Sequence, residues 1–434
     1  MKRKPCASWL KRFLDMTTKY FFSLFILFAL TVMACKHDPV FQTVEPEAPT
    51  TEKLKILWQQ PMNKDTAECI SMIPAYHNGV AIYSNLFYVD GYEFIKGRDI
   101  QNGTLKWEWN PIWEGEVVSP QSRDYKGNMM YLSHWGPMYA INMQTGVNDW
   151  MENKKTVSNE IGLRISVIGD YLYAEHSNRL TKDTVCFLAR RGLAAGSSWD
   201  TIFSLTNTVY RPSFEAPSLF VNPSGDSLLI FQNRQWAFGL SDGRIDLYAY
   251  NINKRQVEWV NNDFDPEGNS NIERPLVHNG KIYFQGTKTL YCFDASNGQI
   301  LWRFVCPVNN DNLVVSNLLI AENQIFIKPS IDATLYGLDL NTGEIKTSIL
   351  STGSGGADMK YYNNFIYFGS KGNGRLYAID LRSNQKVWDD YSPNFNRPGK
   401  WRGNTFFSGV TIVPEYNCLI AEDHYFVMAI KLPE

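Results

Sequence analysis

The chain is poor in the residues from which most enzymes assemble a reactive centre. It has six histidines in 434 residues, and none stands at the HExxH spacing of a zinc protease. His37, His77, His134, His176, His278 and His424 each read as a turn or tether residue at the surface. No GxSxG elbow marks a serine hydrolase. The Gly-rich "STGSGGADMK" lacks the Gly-Lys-Ser/Thr ending of a phosphate loop and reads as a connection. No CxxC pair offers a metal site, so no catalytic residue, metal ligand or cofactor is assigned.

Basic excess is also missing. Residues 1–34 hold six of the 42 basic residues and one of the 44 acidic ones, so the remainder carries 36 against 43, a formal net of −7. That balance argues against a nucleic-acid partner. A long apolar run is absent too: the N-terminal "YFFSLFILFALTVMA" is 15 residues, short of the roughly 20 a spanning helix needs. Six basic residues precede it and Cys35 follows "VMA", which resembles a bacterial lipoprotein signal with Cys35 as the lipidated residue. Residues 1–34 are then the signal peptide, with Met1 or Met16 as its start. Residues 36–53, polar and Pro-rich, follow Cys35 as a flexible tether. Acyl chains at about 0.8 kcal/mol per buried methylene anchor such a chain without a helix. Beyond Cys6 and Cys35 there are five cysteines, an odd number that cannot all pair in an oxidising envelope. Cys186 and Cys292, inside "TVCFLA" and "LYCFDA", read as buried inert thiols.

What the chain has instead is a phrase. "CFDASNGQILW" at Cys292 recurs, with changes, as "GRDIQNGTLKW" at Gly97, "AINMQTGVNDW" at Ala140, "ARRGLAAGSSW" at Ala189 and "AYNINKRQVEW" at Ala249. "GLDLNTGEIKT" at Gly337 and "AIDLRSNQKVW" at Ala378 follow, and "AIKLPE" at Ala429 is cut off by the chain end. A spacing of 41 to 60 residues is that of propeller blades. The acidic or amide residue bonds turn backbone, the glycine supplies a positive φ, and the flanks alternate as strands. A second hairpin lies upstream of each phrase, as in "LVHNGKIYF" at Leu276, giving four strands per repeat. Trp107, Trp150, Trp199, Trp259, Trp302 and Trp388 fall in the outer strand, where each ring can wedge against the next blade. The last copy lacks its outer strand and "KLKILWQQP", with Trp58, lacks a partner. The sequence therefore predicts an all-β, eight-bladed propeller of four-stranded antiparallel blades over residues 54–434, closed by the N-terminal strand.

The phrase resembles A-x-D-x-x-T-G-x-x-x-W, the docking motif of eight-bladed propellers with repeats shared with pyrroloquinoline-quinone dehydrogenases. Copies at Ala189, Ala249 and Gly337 depart from it, with Arg191 at the acidic place, Lys254-Arg255 for Thr-Gly and Thr347 for Trp. Size, anchor and closure look most like the propeller lipoproteins of the outer-membrane β-barrel assembly machinery. That resemblance implies a non-catalytic, monomeric scaffold, lipid-anchored in the bacterial envelope, at the outer membrane, facing periplasm or surface, with a protein partner. The other reading is a quinone-dependent dehydrogenase or carbohydrate-binding propeller using the axial channel. It lacks the adjacent cysteine pair of the alcohol dehydrogenases, and Asp358 and Glu273 have no visible set of cation ligands around them.

The candidate docking residues come from connections entering the innermost strands: Trp113, Arg164, Arg211, Glu273, Arg274, Trp401 and Arg402. Exposed Trp and Arg dominate protein interfaces. The fold is expected to bring these residues to one mouth of the axis.

Overall fold

The computed structural model describes residues 54–434 apart from 63–73, 86–93, 111, 114–115, 118–121, 134–136, 154–159, 178–184, 208–209, 238–242, 266–273, 309–312, 314–315, 354–356, 371, 396–404 and 407. The signal, Cys35 and the tether lie outside the described residues. The chain forms eight antiparallel blades, whose strands A to D run from axis to rim. Blade I is Ala75–His77, Val80–Asn85, Phe94–Asp99 and Leu105–Trp109. Blade II is Ser122–Lys126, Met129–Ser133, Pro137–Asn142 and Asn148–Asn153. Blade III is Glu160–Ile168, Tyr171–Ser177, Val185–Gly192 and Trp199–Thr206. In blade IV strand A is split into Tyr210–Phe214 and Ser218–Val221, followed by Ser227–Ala237, Gly243–Asn251 and Gln256–Asn261. Blade V is Leu276–His278, Lys281–Gln285, Thr289–Asp294 and Ile300–Val305. Blade VI is Leu319–Ala321, Gln324–Ile327, Leu335–Asp339 and Ile345–Ile349. Blade VII is Lys360–Tyr362, Phe365–Gly369, Arg375–Asp380 and Gln385–Tyr391.

Blade VIII takes three strands from the end of the chain, Thr411–Val413, Cys418–Glu422 and Phe426–Lys431. Its rim strand is Ile56–Pro61, with Trp58 opposite Ala429 and Gln60 opposite Val427. First and last strands thus close the ring, as the unpaired "KLKILWQQP" predicts, and no blade is left short of a strand.

Local chemistry sets the hairpins. The A–B turn of blade V holds Asn279 and Gly280 at φ 48° and 72°, and that of blade VII holds Asn363 and Asn364 at 49° and 66°. Two consecutive positive φ values suit the twist of a tight hairpin, and Asn and Gly tolerate them best. In the C–D turns the acidic residue accepts from the amide two residues on: Asp294 Oδ1 from Ser296 N at 2.7 Å, Asp339 Oδ1 from Asn341 N at 2.8 Å. Those amide bonds hold the Asp339 carboxyl below the usual range.

Apolar side chains do the rest. Eight buried clusters lie one at each junction between neighbouring blades. Tyr83, Phe94 and Trp58 join blades VIII and I, and Tyr283, Trp302 and Ile325 join V and VI. Within most junctions the rim tryptophan lies on the C–D turn of the next blade. The Nε1 of Trp58, Trp107, Trp259 and Trp302 donates to the backbone oxygen of Ile100, Met143, Ala295 and Leu340, at 2.5, 3.1, 3.1 and 3.2 Å. A Cβ on the turn glycine would meet the ring: 2.8 Å from Trp58 at Gly103, 2.6 Å from Trp107 at Gly146, 2.4 Å from Trp259 at Gly298. Trp388 is buried at the VII–VIII junction.

The degenerate copies are repaired by other contacts. Arg191, at the acidic place of blade III, lies 4.1 Å from the Trp150 ring centroid and pairs with Glu152 of blade II. Trp150 Nε1 still reaches forward to Leu193 O at 2.8 Å, but Trp199 Nε1 turns back to Glu152 Oε1 at 3.0 Å. In blade IV Arg255 takes the glycine's place at φ 54°. Thr347 replaces the missing tryptophan with a bond to Gln324 Oε1 at 2.8 Å.

These stacks generate a prediction. Gly298 and Gly280 both have positive φ, but a Cβ at Gly280 meets nothing within 4 Å. Gly298→Ala should therefore destabilise by about 1–3 kcal/mol more than Gly280→Ala in denaturant unfolding. Equal losses would mean the turn conformation, not the stacked ring, sets the requirement.

Candidate functional site

Blades III and IV are taller than the others. Strands B and C of blade IV run 11 and 9 residues, and strand A of blade III runs 9. The added length rises on the face that carries the D–A and B–C connections, where it buries a charged cluster. Glu215, in the break of the blade IV inner strand, has Oε1 3.1 Å from Arg234 Nη1 and Oε2 3.7 Å from Arg164 Nε. Ser213 Oγ and Cys186 Sγ both donate to Glu175, at 3.3 and 3.2 Å. Burial pushes the Glu215 carboxyl up to about 7; Arg234 and Arg164 pull against that, and Glu175 adds to it.

Arg164 is thus half-buried and turned onto Glu215. Arg274, immediately before blade V, is exposed over 47% of its side chain, yet its Nη1 spans to blade II, 3.0 Å from Asp124 Oδ2. The same nitrogen is 3.4 Å from Ser166 Oγ of blade III, two residues along from Arg164. The fold therefore brings the Arg274 guanidinium beside the inner strand that carries Arg164. Trp113 lies in a short ribbon, Ile112–Trp113 against Glu116–Val117, between blades I and II. Arg211 pairs with Trp236 across blade IV. The side chains of Trp113 and Arg211, and all of Glu273, Trp401 and Arg402, lie outside the described residues.

Several features had no signal in the sequence pattern used. Val305, Ile331 and Leu350 are exposed by 63%, 61% and 68%, and Val308, three residues after Val305, is exposed too. Val305 ends strand D of blade V, and the others sit on D–A or B–C connections of blades V and VI. Thr352 N to Ala333 O at 2.7 Å ties the two connections of blade VI together, and Phe304 against Tyr336 joins V to VI. On the axis, a cavity of about 670 Å³ is walled by blades I, II, VII and VIII and by Arg274. A second of about 390 Å³ lies on the other side of Arg274, against blades III to VI. Two histidines depart from the surface reading. His176 is buried edge-on to Trp199, 4.5 Å between centroids, and His424 is buried 2.8 Å from Thr405 Oγ1. Both stand at the end of a strand B, where neighbouring side chains cover the blade top. The four described cysteines, Cys186, Cys292, Cys306 and Cys418, are buried and joined by no disulfide among the described residues, and burial pushes Cys292 up to about 12.

A quinone with its divalent cation would need converging oxygen ligands. Among the described residues no three His, Cys, Asp or Glu side chains come together in that way, so the described lining does not fit that group.

With this geometry in place, comparison with known proteins gives the class. Residues 241–421 match the family model described as outer membrane protein assembly factor BamB. The chain is an eight-bladed β-propeller, and the part of it that matches this family model runs from blade IV to blade VIII. Tetrathionate hydrolase of Acidithiobacillus ferrooxidans (strain ATCC 23270 / DSM 14882 / CIP 104768 / NCIMB 8455) is 22% identical over 316 residues, 63% of this chain; the match spans 58% of that protein's length. BamB from Moraxella catarrhalis superposes with a TM-score of 0.53 at 13% identity, covering 88% of this chain and 98% of that one. A europium-containing methanol dehydrogenase gives 0.56 at 10%, covering 86% and 85%. The computationally designed Ika8 protein gives 0.60 at 13%, covering 87% and 100%. At these identities the structural likenesses speak for the fold alone.

The Glu215 cluster yields a pH test. A carboxyl raised from its ordinary value favours the folded state fully below about pH 4.5, and that contribution fades as pH rises through about 7. Glu215→Gln should therefore gain in Tm relative to the parent as pH goes from about 5 to about 8. A constant difference across that range would show that Arg164 and Arg234 keep Glu215 ionised throughout.

Proposed function

We propose that the protein is a non-catalytic scaffold, anchored to a bacterial envelope membrane through lipidated Cys35, that docks a protein partner on the face bearing the D–A and B–C connections. The observation that carries this reading is the exposure of Val305, Val308, Ile331 and Leu350 at that side of blades V and VI. Exposed apolar side chains that gather into a patch mark interaction sites. Arg274 and the raised edge of blades III and IV stand on the same side of the ring. On the sequence reading, Trp113, Arg211, Glu273, Trp401 and Arg402 are expected to add aromatic and charged groups to this face. The match to an outer-membrane assembly factor over residues 241–421 supports an envelope role and a partner within an assembly machinery. The partner has apolar and acidic groups to meet this surface, and the propeller works as a monomer at the outer membrane.

The test uses the full-length protein in envelopes. Ile331→Ser with Leu350→Ser should lower partner recovery about tenfold or more while leaving unfolding within roughly 0.5 kcal/mol of the parent. Cys35→Ala should leave the protein unprocessed or release it from the membrane fraction. Undiminished recovery by the double variant, together with a quinone absorption band on adding quinone and Ca²⁺, would replace the scaffold by the enzyme.

A further inference from the structure

The axial cavity holds charge that the docking reading does not use. Five ionisable acid or base side chains line it besides His77 and the tyrosines: Arg123, Asp124, Arg274, Asp358 and Lys360. Asp124 is fully engaged, taking Arg274 Nη1 at 3.0 Å and Val167 N at 2.8 Å on Oδ2, and Tyr125 N at 2.8 Å on Oδ1. Asp358 has a partner of its own. Arg123 and Lys360 are half-buried, and among the described residues neither makes a hydrogen bond or an ion pair. Arg123 lies only against the Tyr125 ring, 5.9 Å to the centroid.

A carboxylate does lie within electrostatic reach of Arg123, that of Glu422. It is fully buried, and its Oε1 has no hydrogen-bond partner among the described residues. Burial raises it well above the ordinary carboxyl range, and the Arg123 charge pulls against that rise. Tyr125 lines the same cavity. Its ring packs on the junction of blades I and II, while its hydroxyl is buried with no hydrogen-bond partner among the described residues. Withdrawing cations and a hydroxyl from water without partners is costly, and an anion seated between them offsets the cost.

We propose that the axial cavity is a binding site for a small organic dianion, of the dicarboxylate class, whose two charged ends meet Arg123 and Lys360. A volume of about 670 Å³ lies within the range of small-ligand pockets. Inner strands supply Arg123, Tyr125, Lys360 and Thr411 and the connections entering them supply Pro74, Arg274 and Asp358, a confined wall that favours a diffusible ligand over a protein segment. Two separate cations favour a molecule with two anionic groups over a monoanion. Arg274, held by Asp124, forms one wall and separates this site from the smaller cavity beyond. The site is independent of the scaffold reading, since it asks nothing of a protein partner.

The experiment is calorimetric titration of the purified protein, at constant ionic strength, with malonate, succinate and glutarate, and with acetate and neutral succinamide as controls. At least one dicarboxylate should bind at one per chain, roughly tenfold or more tighter than acetate, a difference read directly from the Kd values. Arg123→Gln and Lys360→Gln should each weaken it by about tenfold or more, while Lys254→Gln, whose side chain pairs with Asp226 on the surface, should leave it unchanged. Melting curves of the variants, and the loss of the dicarboxylate-induced Tm rise in them, separate lost binding from lost folding. The proposal is overturned if no dicarboxylate binds saturably, if acetate binds as well, or if both cation variants bind like the parent. Binding of an Asp/Glu-rich peptide in place of every dicarboxylate would also overturn it and assign the cavity to the docked partner.

Discussion

Everything in this molecule depends on the contact between one blade and the next. A single four-stranded sheet with both faces apolar has no independent stability in water, and the eight junction clusters are where that surface is removed from solvent. The tryptophan of one blade lying on the turn glycine of the next makes the contact directional. It combines a large buried ring, a hydrogen bond from Nε1 to turn backbone, and a glycine whose missing side chain leaves room for the ring. One residue position therefore fixes both the hairpin that bears it and the angle at which the next blade arrives.

A ring of such contacts must close or leave one apolar face bare. Closure by Ile56–Pro61 pairs the first strand with the last, so the final contact joins the two most distant parts of the ring's sequence. Rigid inner strands then hold charged side chains on the axis at half-burial, and the connections on one face are free to vary. Both places are open to functional chemistry because neither is needed for the blade junctions.

The repeats were legible because their signals are local. Period-two apolar strands, Asn-Gly turns and the acidic residue bonding two residues on are read within eleven positions, and the strand missing from the last copy pointed to the segment around Trp58. The backward turn of Trp199 was not legible, because it depends on Arg191 and Glu152 meeting across a blade junction. The burial of His176 against Trp199 and of His424 beside Thr405 likewise comes from residues outside their own turns. Val305, Ile331 and Leu350 are spread over 46 positions as isolated apolar residues, and that all three stay exposed on blades V and VI is seen only in the folded chain. Arg123 and Lys360 looked like ordinary polar positions in "SRDYKGN" and "DMKYYNN"; knowing that they face a shared cavity required the ring.

The central claim is that one face of the ring meets a protein partner and the other does not. The direct measurement is photo-crosslinking in intact envelopes with a benzoylphenylalanine placed singly at Ile331 or at Val147. Val147 is exposed by 62% in the C–D turn of blade II, on the opposite face. The account predicts a discrete, higher-mass adduct from Ile331 and none from Val147. The same adduct from Val147, with none from Ile331, would contradict it.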